Sequence, residues 1–350
     1  MADQIKLAVI GCGGMAGAHG DWLKDIPEAD VVALCDINRD NMERLWKTKF
    51  GGRDGIRLYD SMEQLLQSPP PGLQAVIIVT PHALHFPQAM AALDAGYHVL
   101  VEKPMVTSSD HARKLAEKVK ETGLLLQVSF QSSYTSEFAY IRNAIQSGAI
   151  GELQTITAWS HQGWKPQGGR DTWKWRHDPE MSGGGQMYDT GAHLFNAIAW
   201  CLDRPVEEVF CWIDKKDMLV DINAVMTIRW QGGVLGTATI SGNNPGWDEG
   251  IIIAGDKGRL HTGIHGGRLE HHDKKLGKIK YPSVPYPHYT PDKNFVYCLL
   301  GREKPMCPVR YGILHSWLMD ALYESARTKA PVKLSAPPLP PAPSIGIGAA

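Results

Sequence analysis

The amino-acid sequence predicts an α/β protein of two domains: a parallel sheet covered by helices on both faces, then a unit built on a mostly antiparallel sheet. Three observations carry that expectation. Over residues 5–130, short β-branched runs alternate with helical patterns, the signature of a parallel sheet buried on both sides. Beyond residue 146, long alternating runs follow one another with few helices between them. The chain has 350 residues with 43% hydrophobic content, more than one compact unit usually needs.

In the first region, strands are expected at 6–10, 31–35, 75–79, 98–101 and 124–129. Helices are expected between them at 15–24, 40–50, 61–67, 86–95 and 110–122, with Ser61 and Gln64 spaced for a capping box. A helix over 136–146, closed by Gly148, ends this pattern. Strands then follow at 153–161, 206–213, 222–230, 234–241, 251–254 and 258–262, with Gln231-Gly232-Gly233 as a hairpin turn. Helices over 191–202, 292–301 and 313–329 accompany this sheet. Residues 162–185 carry Trp164, Trp173 and Trp175 among glycines, arginines and prolines, which suits an ordered loop walling a site. The expected boundaries are 1–130 for the first domain, 131–334 for the second, and 335–350 for a Pro/Ala-rich tail that is disordered or a surface strap.

A net charge of -1 argues against a nucleic-acid or anionic-membrane binder, which needs a concentrated basic surface. The six cysteines are scattered without Cys-x-x-Cys pairs, as expected of reduced thiols in the cytoplasm with no metal site. The first apolar run leads straight into a glycine turn, so secretion by a classical signal is not expected. No run approaches the roughly 18 uncharged apolar residues of a membrane helix.

The turn itself, Gly11-Cys12-Gly13-Gly14-Met15-Ala16, joins the first strand to the first helix. Its glycines permit close backbone approach to a pyrophosphate at the positive end of that helix, and Ala16 supplies the small third position. Asp36, 25 residues after Gly11 at the end of the next strand, is placed to accept hydrogen bonds from an adenosine ribose and favours NAD over NADP. Arg39 nearby keeps NADP open, since a guanidinium binds a 2′-phosphate. The first domain is therefore expected to be a Rossmann dinucleotide-binding domain.

Two further motifs carry chemistry. Glu102-Lys103-Pro104 ends an apolar strand, and Asp189 and His193, four apart after Gly183-Gly184-Gly185, open an apolar helix pattern on one face. Taken singly, Pro104 fixes a turn, Asp189 caps a helix and His193 is a satisfied helix residue. Together with the glycine turn they point to a nicotinamide-dependent oxidoreductase. Alcohol oxidation needs a base for the hydroxyl proton as hydride leaves carbon, and a group that stabilises the developing alkoxide. A lysine near a cationic nicotinamide and a histidine both qualify as base. The preferred assignment is His193 as acid/base, Lys103 donating to the reacting oxygen, and Asp189 orienting substrate or lysine.

These residues resemble the Gfo/Idh/MocA family, named after glucose-fructose oxidoreductase and inositol dehydrogenase, from Lys6 to about Leu334. The resemblance rests on Gly-x-Gly-x-x-Ala, Thr80-Pro81-x-x-x-His85, Glu102-Lys103-Pro104, and the glycine triplet followed by Asp189-x-x-x-His193. It implies a second α/β domain with a large open sheet, often used to form a homodimer or homotetramer. It implies that Lys103 lies beside the nicotinamide and the substrate hydroxyl, with Asp189 and His193 completing the site. Thr80, Pro81, His82, His85 and Glu102 are then expected near the cofactor, His82 standing where asparagine is usual. The expected activity is NAD-dependent oxidation of a secondary hydroxyl of a sugar, anhydrosugar or cyclitol. Tyr134, His161, Trp164, Arg170, Trp173, Trp175 and Arg176 are candidates for holding that substrate, since indole faces suit the C–H faces of sugars. Two other readings use the same parts: a redox-neutral glycoside hydrolase working through transient oxidation and elimination, and a nucleotide-sensing protein without chemistry.

Overall fold

The computed structural model of the protein describes residues 4–167, 174–275, 277–280 and 289–340. The first region runs β1 (Ile5–Ile10), α1 (Gly14–Leu23), β2 (Ala29–Cys35), α2 (Arg39–Phe50), β3 (Arg57–Tyr59), α3 (Met62–Gln67), β4 (Ala75–Ile78), α4 (His82–Asp94), β5 (His98–Glu102), α5 (Ser109–Thr122) and β6 (Leu126–Ser129). Its strands form one parallel sheet in the order β3-β2-β1-β4-β5-β6. Successive side chains of a strand face opposite ways. Accordingly Leu7, Val9, Ile77 and Leu100 belong to one buried cluster, while Ala8, Ile10, Val76, Ile78, Val99 and Val101 belong to another. Both faces are covered, which is why the strands read apolar throughout. Strand order reverses between β1 and β4, where ligands bind beyond the carboxyl ends of the strands of an open sheet.

The second region runs α6 (Ser136–Gln146), β7 (Leu153–Gly163), α7 (Pro179–Ser182), α8 (Gln186–Asp189), α9 (Gly191–Leu202), β8 (Val206–Asp214), β9 (Asn223–Trp230), β10 (Leu235–Ser241), β11 (Asn243–Gly255), β12 (Gly258–Gly263), β13 (Gly266–Asp273), β14 (Gly277–Lys280), α10 (Pro291–Leu299), α11 (Val309–Thr328) and β15 (Val332–Lys333). Its nine strands order as β14-β13-β12-β11-β7-β10-β9-β8-β15, antiparallel except for the parallel pair β7 and β10. Ile156, Ala158, Met226, Ile228, Ala238 and Ile240 are buried with α9 and α11. Trp212, Val225 and Leu235 stand exposed, so the other face of the sheet is open.

Phe295 and Val296 of α10 belong to the buried cluster of β1 and α1, so the chain returns to the first sheet after completing the second. Beyond β15, Arg310 donates to the Pro340 carbonyl at 2.6 Å and Leu339 packs on the core. The start of the tail is a strap; residues 341–350 lie outside the described residues. The helix at Ser61 starts as its spacing predicts, with Ser61 Oγ accepting from the Gln64 amide at 3.3 Å. Gln64 Oε1 returns to the Asp60 amide rather than to that of Ser61.

Candidate active site

The turn between β1 and α1 is shaped by contact on one side and space on the other. Gly11 has φ +89°, and a Cβ there would lie 2.7 Å from the Val79 carbonyl oxygen, so only glycine passes the end of β4. A Cβ on Gly13 or Gly14 would meet nothing within 4 Å, and no side chain caps α1. Uncapped helix amides facing open space provide the polarity and room that a pyrophosphate takes. Asp36 Oδ2 accepts from the Cys12 amide at 2.6 Å and Oδ1 from the Asn38 amide at 2.8 Å, which holds the carboxylate beside the turn. Arg39 is drawn toward Asp60 at 3.3 Å. The arrangement fits NAD.

At the end of β5, Lys103 Nζ donates to Asp189 Oδ1 at 2.7 Å and to its carbonyl at 3.1 Å; the Lys103–Pro104 peptide is cis. The second Asp189 oxygen accepts from Trp164 Nε1 and Arg176 Nε, each at 2.9 Å. Burial alone would raise the Asp189 pKa, but Lys103, Arg176 and His82 reverse this and hold it well below the usual carboxylate range. His82 Nδ1 faces the Ser182 carbonyl at 2.8 Å, so it carries the proton. Its Nε2 lies 3.8 Å from Asp189, and its ring meets Trp175 edge-on.

His193, on the first turn of α9, is buried, and its Nδ1 has no protein partner. Burial, and then the charge of Lys103, push its pKa well down, so the ring is neutral at neutral pH. The neighbouring His315 is driven to about 3 by burial and Lys103. His265, at the turn between β12 and β13, has its ring 5.0 Å from that of His193. Its Nδ1 lies 2.9 Å from Glu249 of β11.

Glu102, beside Lys103 in the chain, faces the other way. Its carboxylate lies 3.2 Å from His19 Nε2, and the opposite ring nitrogen of His19 lies 2.9 Å from Asp292. Burial would lower the His19 pKa, yet Asp292 and Glu102 raise it to about 10. The same imidazolium holds Glu102 below its ordinary value against its own burial.

Of the residues expected to hold substrate, the structure gathers Trp164, Trp175, Arg176, Asp189 and His193 around Lys103; Arg170 and Trp173 lie outside the described residues. Two expectations are corrected. Tyr134 is fully buried, its hydroxyl donating to the Val128 carbonyl at 2.9 Å, and is a core residue. His161 alternates with buried Ser160 and Gln162 and bonds Thr239 at 3.0 Å; strand parity sends it to the face away from Thr190, which Gln162 touches. Among the residues expected at the cofactor, Glu102 is turned inward to His19, and Arg39 is held by Asp60. His85 is buried, its nitrogens 2.7 Å and 2.8 Å from the carbonyls of Pro104 and Thr80; it braces two loops and does not face a ligand. The Thr80 hydroxyl donates to Gln88. Neither His265 nor Glu249 belongs to any of the sequence motifs. A histidine inside Gly263-Ile264-His265-Gly266-Gly267, a polar side chain at a glycine-flanked turn, was their one local signal.

Comparison with known proteins gives the family and the fold. Residues 5–130 match the GFO/IDH/MocA oxidoreductase family, NAD-binding Rossmann fold, and residues 138–261 match the GFO/IDH/MocA C-terminal domain. The chain is 26% identical to inositol 2-dehydrogenase of Rubrobacter xylanophilus, covering 95% of this chain and 94% of that protein. It is 25% identical to D-glucoside 3-dehydrogenase of Escherichia coli over 58% of this chain and 56% of that protein. Among solved structures, levoglucosan dehydrogenase in complex with NADH and L-sorbose superposes with a TM-score of 0.85 at 18% identity, covering 95% of this chain and 99% of that one. At that identity the likeness speaks for the fold alone.

Proposed function

The chain belongs to the GFO/IDH/MocA family of NAD-binding oxidoreductases, and from that premise we propose that it oxidises a secondary hydroxyl of a neutral sugar, anhydrosugar or cyclitol. The observation that carries this reading is the Lys103 ammonium, 2.7 Å from a buried carboxylate and beside a neutral histidine at the open end of β5. When bound, the nicotinamide supplies the hydride acceptor. Lys103 donates to the substrate oxygen and stabilises negative charge as it develops there. Asp189 has both oxygens occupied by Lys103, Trp164 and Arg176, so it orients the lysine and is not the base. His193, kept uncharged by burial and Lys103, takes the hydroxyl proton. Trp164 and Trp175 wall the site and exclude water.

The inositol and glucoside dehydrogenases that the chain resembles support a polyhydroxylated ring as substrate. The exposed Trp212, Val225 and Leu235 on the open sheet support a homodimer or homotetramer joined there. The cysteines are free among the described residues, in keeping with a cytoplasmic enzyme, and no described helix is long and apolar enough to cross a membrane. The test is absorbance at the reduced-nicotinamide band while protein and NAD, or NADP, meet a panel of inositols, anhydrosugars, free sugars and glycosides. Substrate-dependent growth supports the dehydrogenase; glycoside cleavage without growth overturns it in favour of redox-neutral hydrolysis.

A further inference from the structure

β11 breaks its pairing with β7 beside the site. Asn243 pairs with Gly163 and Asp248 with His161, so residues 244–247 bulge out opposite Gln162 alone. The bulge turns at Gly246, whose φ of +88° is the left-handed conformation that glycine supplies. Its base is tied to the site, because the Gly242 carbonyl accepts from the amide of Trp164, the tryptophan that holds Asp189.

In this bulge, Trp247 is 63% exposed. Two residues further along β11, Glu249 lies 3.0 Å and 2.9 Å from His265 Nδ1 and accepts from the His265 amide. That carboxylate fixes the His265 ring, whose centre lies 5.8 Å from that of Trp247. With Nδ1–H directed at Glu249, His265 in its neutral form leaves Nε2 as an acceptor. Its ring stands between Trp247 and His193. An exposed indole is a platform for the C–H face of a second ring. The carboxylates of Asp248 and Glu249 beside it disfavour a phosphate-bearing group.

We propose that Trp247, His265 and Glu249 form a subsite for the ring attached to the oxidised sugar, so that the substrate is a neutral glycoside with a cyclic aglycone, a second sugar or an aryl group. This rests on the dehydrogenase reading of Lys103 and His193. The oxidised ring lies against those residues, the aglycone stacks on Trp247, and His265 accepts from a hydroxyl near the glycosidic bond.

The experiment compares NAD-dependent kcat/KM for p-nitrophenyl and methyl glycosides of the same sugar in wild type, Trp247→Ala and Trp247→Phe, with light scattering on each. The aryl-to-methyl ratio is expected to fall about tenfold in Trp247→Ala and to return in Trp247→Phe. A ratio unchanged in Trp247→Ala overturns the subsite, all the more if that variant loses its oligomer, since Trp247 is then covered by a second copy. Oxidation of inositols but of neither glycoside also overturns the subsite and leaves the dehydrogenase standing. Oxidation of no member of the panel removes the reading on which it rests.

Discussion

Glu102 and Asp189 are both buried carboxylates beside Lys103, and their charges are met in opposite ways. Glu102 is answered by His19, which is wholly buried and clamped again by Asp292. Asp189 is answered by Lys103, 12% exposed, and by Arg176, 38% exposed. The first set is closed: cation and carboxylates are sealed together away from the surface. The second is open, since its cations reach the surface and, in the proposed reaction, share their protons with an incoming hydroxyl. A buried charge cluster therefore serves stability or chemistry according to whether its cation is accessible, and the two clusters should fail differently when cut.

The largest effect is expected at the closed cluster. His19→Ala leaves Glu102 and Asp292 buried without their cation, which costs about 3–5 kcal/mol. Chemical denaturation should show that loss, while the molecules that remain folded keep a kcat near wild type. A large fall in kcat in fully folded His19→Ala would break the distinction. Lys103→Ala is expected to do the reverse. Arg176 and Trp164 still hold Asp189, so the denaturation midpoint moves little, but loss of the donor to the developing alkoxide lowers kcat about 10²–10³-fold.

The pH dependences should separate the clusters as well. The His19 pKa is raised to about 10 in the folded protein, above its ordinary value of about 6.5. Its stabilisation is therefore complete below about pH 6.5 and lost as pH rises through about 10. The midpoint difference between wild type and His19→Gln should shrink over that window; a constant difference would mean that His19 carries no buried charge. His193 moves the other way, its pKa lowered by burial and Lys103. Its basic form is present at neutral pH and is lost only as pH falls through that depressed value. kcat/KM for oxidation should hold through pH 6.5, where an ordinary histidine would cut it, and the acid limb should disappear in His193→Gln.

The open cluster was legible in the sequence and the closed one was not, and the reason is physical. Gly11, Lys103, Asp189 and His193 sit at element ends, where local spacing reports which face or turn a side chain occupies. His19 and Asp292 are 273 residues apart and meet only because α10 returns to the first sheet, which no local pattern encodes. The same limit explains His161. Alternation along β7 shows that odd and even residues part, but which set faces Asp189 is fixed by α8 and α9 packing on the sheet. The strands at Arg57–Tyr59, Gly266–Asp273, Gly277–Lys280 and Val332–Lys333 lacked the apolar alternation that announced the others; pairing with neighbours already in place defines them.

The smallest effect is expected at Arg176, and it sharpens the comparison most. Its guanidinium lies over the Trp175 ring, 4.4 Å from the centroid, and donates to the Asp189 oxygen that Trp164 also reaches. Removing it takes one of two cations from a buried carboxylate. At a closed site that would be severe, but here Lys103 stays at 2.7 Å and solvent already screens a side chain that is 38% exposed. Arg176→Ala should therefore leave the denaturation midpoint nearly unchanged and lower kcat by no more than about tenfold, the effect of a loosened lysine rather than a lost one. A fall matching that of Lys103→Ala would show that Arg176 itself touches the substrate. A stability loss matching that of His19→Ala would show that the second cluster is closed too, and that exposure of the cation does not mark where chemistry is done.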